Sequence, residues 1–486
     1  MRSLGGVEFC QRHPLFFIGA ALWIGIFLSS NLTPLPFLLF LIPFLGFPRA
    51  LLAYLLIAAS FCCFSLRISS PPSGLHSGFV ECEVIDRCLE QKGGRSMWKL
   101  TLFIHSFRDH EGNCIARGMR VTVLAPTPCP VQGGWVYKIP ARIYSGERIS
   151  LFPNWSEPIK KVRSTFSFVE WRLGVKREVE RKLASLFKES DVRFLAGAMT
   201  LGLYKTPLLR DSLHRLGLGH LLAISGFHFG CMVALLLFFT RRFSVKMQFV
   251  LSLLCIIFYF LLVGSSASIL RSFCASLLLL VSRVIYRRPT GLNSLGLGLI
   301  VVLLYDPAMA LQTGFHLSFL ATTVLLLYSP AVQRGLRALF ARRSLEEVSS
   351  FSWIDQLFTG LFNRLIPIFS IVLPVWVVVA LYQLAFFQEC SLLGLLYNLF
   401  LPLILSLAIP FVVLSLFSIP FLSKLCAFIA SIPLKAGLYL INGAPEVGTV
   451  EIAPLPLPFV YLSFILIIVG GIFLYQEERD GWKACL

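Results

Sequence analysis

Charged residues are scarce in this chain. Asp, Glu, Lys and Arg together make up 14% of its 486 residues, whereas 56% of the residues are apolar. Soluble globular domains carry roughly 25% charged residues, so this composition excludes an ordinary soluble domain. Together with a mean hydropathy of +0.78, it predicts a polytopic α-helical membrane protein.

Short catalytic signatures are absent as well. The sequence contains no GxxxxGK[ST] loop, so we do not expect the chain to hydrolyse nucleoside triphosphates. It has no GxSxG elbow, the turn that exposes the nucleophilic serine of many hydrolases. Its 13 cysteines include no CxxC pair, which argues against a structural zinc site. We therefore predict no catalytic residue, no metal and no cofactor.

What the sequence has instead is a series of long apolar runs. A helix needs about 20 apolar residues to cross a bilayer, and runs near that length predict about 11–13 spans. Pro402 and Pro410 lie in one of them and predict that it is broken. The predicted spans are 14–30, 35–47, 50–66, 221–239, 248–263, 267–286, 292–305, 314–329, 365–386, 392–417, 425–442 and 457–475.

The basic residues predict how these spans are oriented. Lys and Arg cluster in alternate short connections, from Arg12 near the N-terminus to Lys483 near the C-terminus, and the other short connections contain none. Short loops rich in Lys and Arg stay in the cytoplasm. Both termini are therefore predicted to be cytoplasmic. The long segment 67–220 is then predicted to lie outside, between N-terminal spans (1–66) and the later ones.

Residues 67–157 differ in character from the rest of the chain. Short runs with alternating apolar residues are separated by Gly, Pro, Asn and Asp, which predicts a small extracytoplasmic β domain. About five strands in this length is typical of an OB-like barrel, a fold that often binds single-stranded nucleic acid. A β domain that only caps a channel is an equal alternative. Cys82, Cys88, Cys114 and Cys129 lie here, and an oxidising exterior predicts at least one disulfide among them.

Residues 158–194 predict a basic amphipathic helix. Phe168, Trp171, Val175 and later apolar residues recur at helical spacing, and ten Lys or Arg residues lie between Lys160 and Arg193. Such a helix is expected to lie on the membrane surface. Its cations would bind anionic lipid alone, or would also attract DNA phosphates as a collar.

Polar side chains interrupt the apolar runs. A polar group in hydrocarbon is costly, so it is expected to face protein or water rather than lipid. We therefore expect one hydrated, outward-facing cavity. Its candidate lining residues are His220, Ser225, His228, Arg271, His316 and Asn398. Glycines expected to allow close helix packing or a bend are Gly226, Gly230, Gly264 and Gly314.

These polar residues have other interpretations too. A single histidine in a span is often a hydrogen-bonded core residue, and the expected partner of Arg271 is either a phosphate or Asp306. Ser225 with His220 or His228 as a general base would make an intramembrane hydrolase. No acidic residue that would orient such a histidine lies nearby in the sequence.

Four blocks of sequence resemble the ComEC-type competence proteins. The first, at 198–230, contains HLLAISGFHFG; the others are GSSASILRS at 264–272, LLYDPAMALQTGFHLSF within 303–330, and SLLGLLYNLFLPLILSLAIP at 391–410. They follow the family's order and lie within 195–420, which would be the competence domain, followed by C-terminal helices and a short tail (421–486). The family usually has a proline where Ala267 stands.

This resemblance implies a bacterial inner-membrane channel that takes up single-stranded DNA in natural transformation. No HxHxDH run occurs, so the metallo-β-lactamase-like domain of many relatives is expected to be absent. The implied partners are single-stranded DNA, membrane lipid, and a separate DNA receptor, nuclease and cytoplasmic motor. The alternatives are a transporter or flippase for another anionic polymer or lipid, and the hydrolase described above.

The predicted topology can be tested by cysteine labelling of intact cells. In a background without the native cysteines, Ser73→Cys should react with an impermeant thiol reagent, because segment 67–220 is predicted to lie outside. Ser344→Cys should react only after the cells are permeabilised. The opposite labelling pattern would reverse the orientation.

Overall fold

The computed structural model describes most of the chain, and everything below concerns that part. The described residues are 12–30, 74–92, 95–145, 149–202, 207–222, 226–287, 290–339, 352–417, 419–445, 449–451, 463–464 and 466–475. The predicted spans 35–47 and 50–66 lie outside these residues, as does Ser225.

Helices form the larger part of the structure. They are α1 (Pro14–Ser30), α2 (Val169–Leu186), α3 (Ser190–Leu201), α4 (Pro207–Arg215), α5 (Gly219–Leu222), α6 (Gly226–Thr240), α7 (Val245–Val263), α8 (Ala267–Val284), α9 (Gly291–Tyr305), α10 (Thr313–Leu339), α11 (Trp353–Phe387), α12 (Leu393–Ser406), α13 (Ala408–Ser415) and α14 (Pro420–Asn442). A 3-10 turn, Pro307–Leu311, joins α9 to α10.

Six of the described helical segments are long and apolar enough to cross a membrane. They are α7, α8, α10, α11, α12 with α13, and α14. Shorter apolar helices occur at Pro14–Trp23, His228–Thr240, Gly291–Tyr305 and Leu466–Tyr475. The prediction of a polytopic helical membrane protein is confirmed, whereas the full number of spans stays a prediction.

The broken span is seen between α12 and α13. Its break lies at Leu407, between the two prolines. Pro410 has no N–H with which to bond the carbonyl of Ser406, four residues earlier, so the helical ladder is interrupted there.

The β domain is one antiparallel sheet of seven strands. They are β1 (Gly74–Lys92), β2 (Arg95–Asp109), β3 (Cys114–Ala116), β4 (Met119–Ala125), β5 (Trp135–Ser145), β6 (Ile149–Pro153) and β7 (Lys160–Ser164). The order is β3-β2-β1-β5-β6, with β4 also paired to β2 and β7 to β5. A two-stranded ribbon, β8 (Glu389–Ser391) with β9 (Thr449–Glu451), lies elsewhere.

Side chains alternate across this sheet as the period-two pattern predicted. Leu100, Leu102 and Ile104 of β2 are fully buried, as are Ile139 and Ile143 of β5. One face of the sheet therefore encloses a single apolar core. The small β domain is confirmed, and its assignment to the OB-like class stays a prediction.

The predicted disulfide is not formed among the described cysteines. Cys82, Cys114 and Cys129 are free thiols, and the side chain of Cys88 lies outside the described part. The reason is the pleat of the sheet. Cys82 points into the apolar core, where burial raises the pKa of its thiol to about 12, whereas Cys114 is exposed on β3.

Thiol reactivity should report this arrangement. At pH 8 the folded protein should be alkylated at Cys114 and not at Cys82, because the Cys82 thiol is covered and protonated. Denaturation should make both reactive, as mass spectrometry of the alkylated peptides would measure. A disulfide-linked peptide containing Cys82 would contradict the structure.

Helix α2 uses its basic residues to cap other helices. Arg172 Nε donates to the carbonyl of Leu261, 3.0 Å away, and Lys182 Nζ donates to the carbonyls of Leu416 and Phe417 at 2.7 and 3.0 Å. These carbonyls end α7 and follow α13, where helices leave acceptors unsatisfied and carry partial negative charge. At least these two cations of the predicted amphipathic helix therefore bind protein. The helix is shorter than the predicted 158–194, because Lys160–Ser164 pairs with β5 as strand β7.

The sharp turn between α7 and α8 depends on Gly264. Its φ is +117°, a conformation that favours glycine, and a Cβ there would lie 3.4 Å from Nη1 of Arg172. Ser266 is the N-cap of α8 and Ala267 its first residue. A proline is favoured at the first position of a helix. Helix α8 nevertheless begins there with alanine, so its start does not require the proline.

An ion pair joins the sheet to the end of α9. Arg120 Nε on β4 lies 2.8 Å from Asp306 Oδ2, and both side chains are largely buried. The guanidinium also stacks over the ring of Tyr305, 5.0 Å from its centre. Asp306, the alternative partner predicted for Arg271, forms this ion pair with Arg120, a residue far away in the sequence.

Loss of this ion pair should destabilise the docking of the β domain. Asp306→Asn leaves a largely buried arginine without its countercharge, which should cost about 3 kcal/mol. Thermal unfolding of the purified chain in detergent would measure the loss. Arg142→Ala, on the exposed side of β5, is the matched control and should have little effect. An equal effect of Arg120→Ala and Arg142→Ala would show that the pair contributes nothing.

Candidate functional site

Arg271 is the residue around which the candidate site is built. It lies on α8, and its Nε donates to Ser318 Oγ on α10 at 2.9 Å. Its side chain is partly exposed, so protein atoms do not enclose it completely.

Two glycines allow other helices to approach this arginine. A Cβ at Gly226, the first residue of α6, would lie 3.2 Å from Arg271 Nη2 and 3.8 Å from Nη1. A Cβ at Gly298 on α9 would lie 3.3 Å from Cγ of Arg271. The start of α6 therefore sits against the guanidinium group, and α9 packs on the aliphatic stem. Either glycine could carry a side chain only if its neighbour moved.

The electrostatics of the site are one-sided. The guanidinium is permanently charged, and the first N–H groups of α6 add the partial positive charge of a helix N-terminus. Among the described residues no carboxylate forms an ion pair with Arg271, and Asp306 forms one with Arg120. The site therefore presents positive charge to the space beside it.

The candidate histidines do not share one role. His228 is buried on the first turns of α6, and His220 on α5 is exposed. His316 is held by protein on both ring nitrogens: Nδ1 lies 3.1 Å from Tyr382 Oη and Nε2 lies 2.5 Å from the carbonyl of Ala310. That geometry matches the hydrogen-bonded core interpretation for His316.

In the described part of the chain, no hydrogen bond joins the remaining polar candidate, Asn398, to Arg271. Asn398 Nδ2 donates within its own helix to the carbonyl of Gly394 at 2.7 Å. No described atom lies within 4 Å of a Cβ built at Gly230 or Gly314, so no close approach of helices depends on these two. Gly226 is the predicted glycine that does lie at the site, and no group of metal ligands occurs in the described part of the chain.

Three residues of the site were not predicted from the sequence. They are Ser272, Ser318 and Gly298. Ser318 lies two residues after His316, on a different face of α10, so the position of the histidine does not predict it. Gly298 stands in the run GLNSLGLG, where the repeated glycines are the signal that marks a close helix contact.

The structure defines a helical membrane protein with a β domain docked on the ends of α7 and α9. A family model described as "Competence protein" matches residues 205–479, more than half of the chain. The chain belongs to this competence protein family.

One curated relative adds detail. The chain is 31% identical over 164 residues to ComE operon protein 3 of Bacillus subtilis (strain 168), a match that covers 33% of this chain and 20% of the relative. The similarity thus spans about a fifth of that protein's length. No solved structure matches the chain.

Proposed function

We propose that this chain forms an inner-membrane channel for the uptake of single-stranded DNA in natural transformation. The observation that carries the proposal is the convergence of family blocks on Arg271. The first block supplies Gly226, the second Arg271 itself, and the third Ser318. These segments are far apart in the sequence, and membership in a family of competence proteins gives their meeting point a function.

Physical cost supports the same conclusion. An arginine placed in a membrane domain costs roughly 2.5–3.5 kcal/mol on insertion scales, and such residues commonly mark ion or substrate pathways. Arg271 is oriented by Ser318 and approached through Gly226. A polyanion crossing the membrane requires a pathway with this sign of charge.

The β domain has a surface suited to binding single-stranded DNA before the DNA enters the channel. Lys138 Nζ lies 5.0 Å from the centre of the exposed Phe79 ring, and Lys161 Nζ lies 4.9 Å from that of Trp135. Aromatic rings next to cations stack bases and neutralise phosphates in proteins that bind single strands. A domain that only caps the channel would not need these pairs.

The proposal includes partners and orientation. Both termini are cytoplasmic and the β domain lies on the outer side, where DNA arrives. With no nucleotide-binding loop in the sequence, the energy for transport would come from a separate cytoplasmic motor. A separate receptor and nuclease would deliver one strand, and the chain itself would not act as an enzyme.

The competing functions share parts of this site. A transporter or flippase for another anionic polymer or lipid would also use Arg271. The hydrolase alternative requires Ser225, with His220 or His228 as base. Ser225 lies outside the described residues, so this alternative stays a prediction.

Deletion of the gene, with complementation, tests the proposal. Uptake of labelled DNA and transformation frequency should both fall to background in the deletion strain and return with the wild-type gene. Ser225→Ala should restore uptake as the wild type does, because no nucleophile is needed. Normal DNA uptake in the deletion strain would contradict the channel. A defect confined to Ser225→Ala, with loss of labelling by a serine-reactive probe, would favour the hydrolase.

A further inference from the structure

We propose that Arg271 and the first turn of α6 form a phosphate-binding site inside the helical domain. The ligand would be one phosphodiester group of the strand in transit. Its identity as DNA rests on the proposed function, whereas the binding of a phosphate group rests on the geometry alone.

The guanidinium group of Arg271 is held through Nε, and its two Nη atoms remain able to bind a ligand. Ser318 accepts the Nε–H at 2.9 Å, which fixes the plane of the group from behind. Both Nη atoms lie on the side of Gly226, and neither has a described protein acceptor. Nη1 and Nη2 carry four N–H donors, and such a fork matches two oxygens of a phosphate.

The second half of the site is the start of α6, a helix of 15 residues. Its first amides have no partner within the helix, and helix N-termini bind phosphate through such amides. Without a bound anion, the positive charge of the guanidinium and the partial positive charge of the helix end repel each other. An anion between them turns this repulsion into two attractions, so the arrangement favours a bound anion.

Side-chain size explains why Gly226 belongs to the site. A Cβ there would lie 3.2 Å from Nη2 of Arg271 and 3.2 Å from Oγ of Ser272. Any larger residue would occupy the space beside the fork. Glycine therefore leaves room where the fork and the helix amides meet.

The lack of a carboxylate at Arg271 in the described structure suits transport. A fixed countercharge would occupy the fork, whereas a transported ion must bind well enough to enter and weakly enough to leave. Asp306 forms an ion pair with Arg120, whose Nε lies 2.8 Å from Asp306 Oδ2. A site made of one arginine and one helix end would then bind a phosphate weakly enough to release it.

Binding of inorganic phosphate to the purified full chain in detergent tests the site directly. Phosphate should raise the unfolding temperature of the wild type above that in chloride at equal ionic strength. Arg271→Leu should abolish the shift. Arg271→Lys should bind phosphate about tenfold more weakly, because the charge remains without the bidentate fork. Arg142→Leu, an exposed arginine of the β domain, should shift as the wild type does.

Two milder variants keep the test valid if Arg271→Leu fails to fold. Ser318→Ala removes the group that orients the fork, and Gly226→Ala intrudes on it. Each should weaken the phosphate shift while the protein elutes as the wild type does in size-exclusion chromatography. An unchanged phosphate shift in Arg271→Lys, Ser318→Ala and Gly226→Ala would overturn the site.

DNA uptake separates this inference from the proposed function. If the phosphate shift depends on Arg271 but the deletion strain takes up DNA normally, the site stands and the DNA channel fails. If deletion abolishes uptake but Arg271→Lys supports uptake and binds phosphate as the wild type does, the channel stands and the site fails.

Discussion

The cost of an unsatisfied polar group in hydrocarbon is the constraint on which the rest of this structure depends. Most polar groups in the helical domain meet it locally. Ser272, Thr322 and Thr323 each donate to a carbonyl four residues earlier, and Arg172 and Lys182 satisfy carbonyls at helix ends. Against that background the Nη atoms of Arg271 differ, since none of the described protein groups accepts a hydrogen bond from them. A charged group whose outer N–H groups have no described protein acceptor is costly in this environment. That cost is the strongest physical reason to assign a function to Arg271.

The β domain is tied to the helices that flank the site. Arg172 links Asp86 of the sheet to the end of α7, and Arg120 links the sheet to Asp306 after α9. Helix α8, which carries Arg271, begins directly after α7 and packs beside α9. The sheet is therefore attached to α7 and α9, the two helices that adjoin the helix carrying Arg271.

The helices and strands could be predicted well from the sequence, whereas the contacts between distant side chains could not. The reason is physical. Apolar run length and period-two alternation are local properties, so the helices and the sheet followed from them. Arg271 was found because an arginine in a span is unusual wherever it lies. Ser318 and Gly298 were not predicted, because they contact Arg271 only once the helices have packed together. The expected disulfide was wrong among the described cysteines because strand register, which turns Cys82 inward, was not known.

The basic helix α2 also bears on how the membrane is crossed. Arg172 and Lys182 lie ten residues apart, which is about 15 Å along a helix. They bind the ends of α7 and α13, which the predicted topology places on opposite sides of a hydrocarbon layer about 30 Å thick. Helix α2 belongs to the segment that this topology places outside, so a carbonyl that it binds is expected to lie near the outer side as well. The contact of Lys182 with Leu416 therefore favours two half-spans, α12 and α13, over one complete crossing, and the break at Leu407 lies between them. Charge patterns predict the side on which a loop lies, but a half-span becomes visible only through contacts between distant residues.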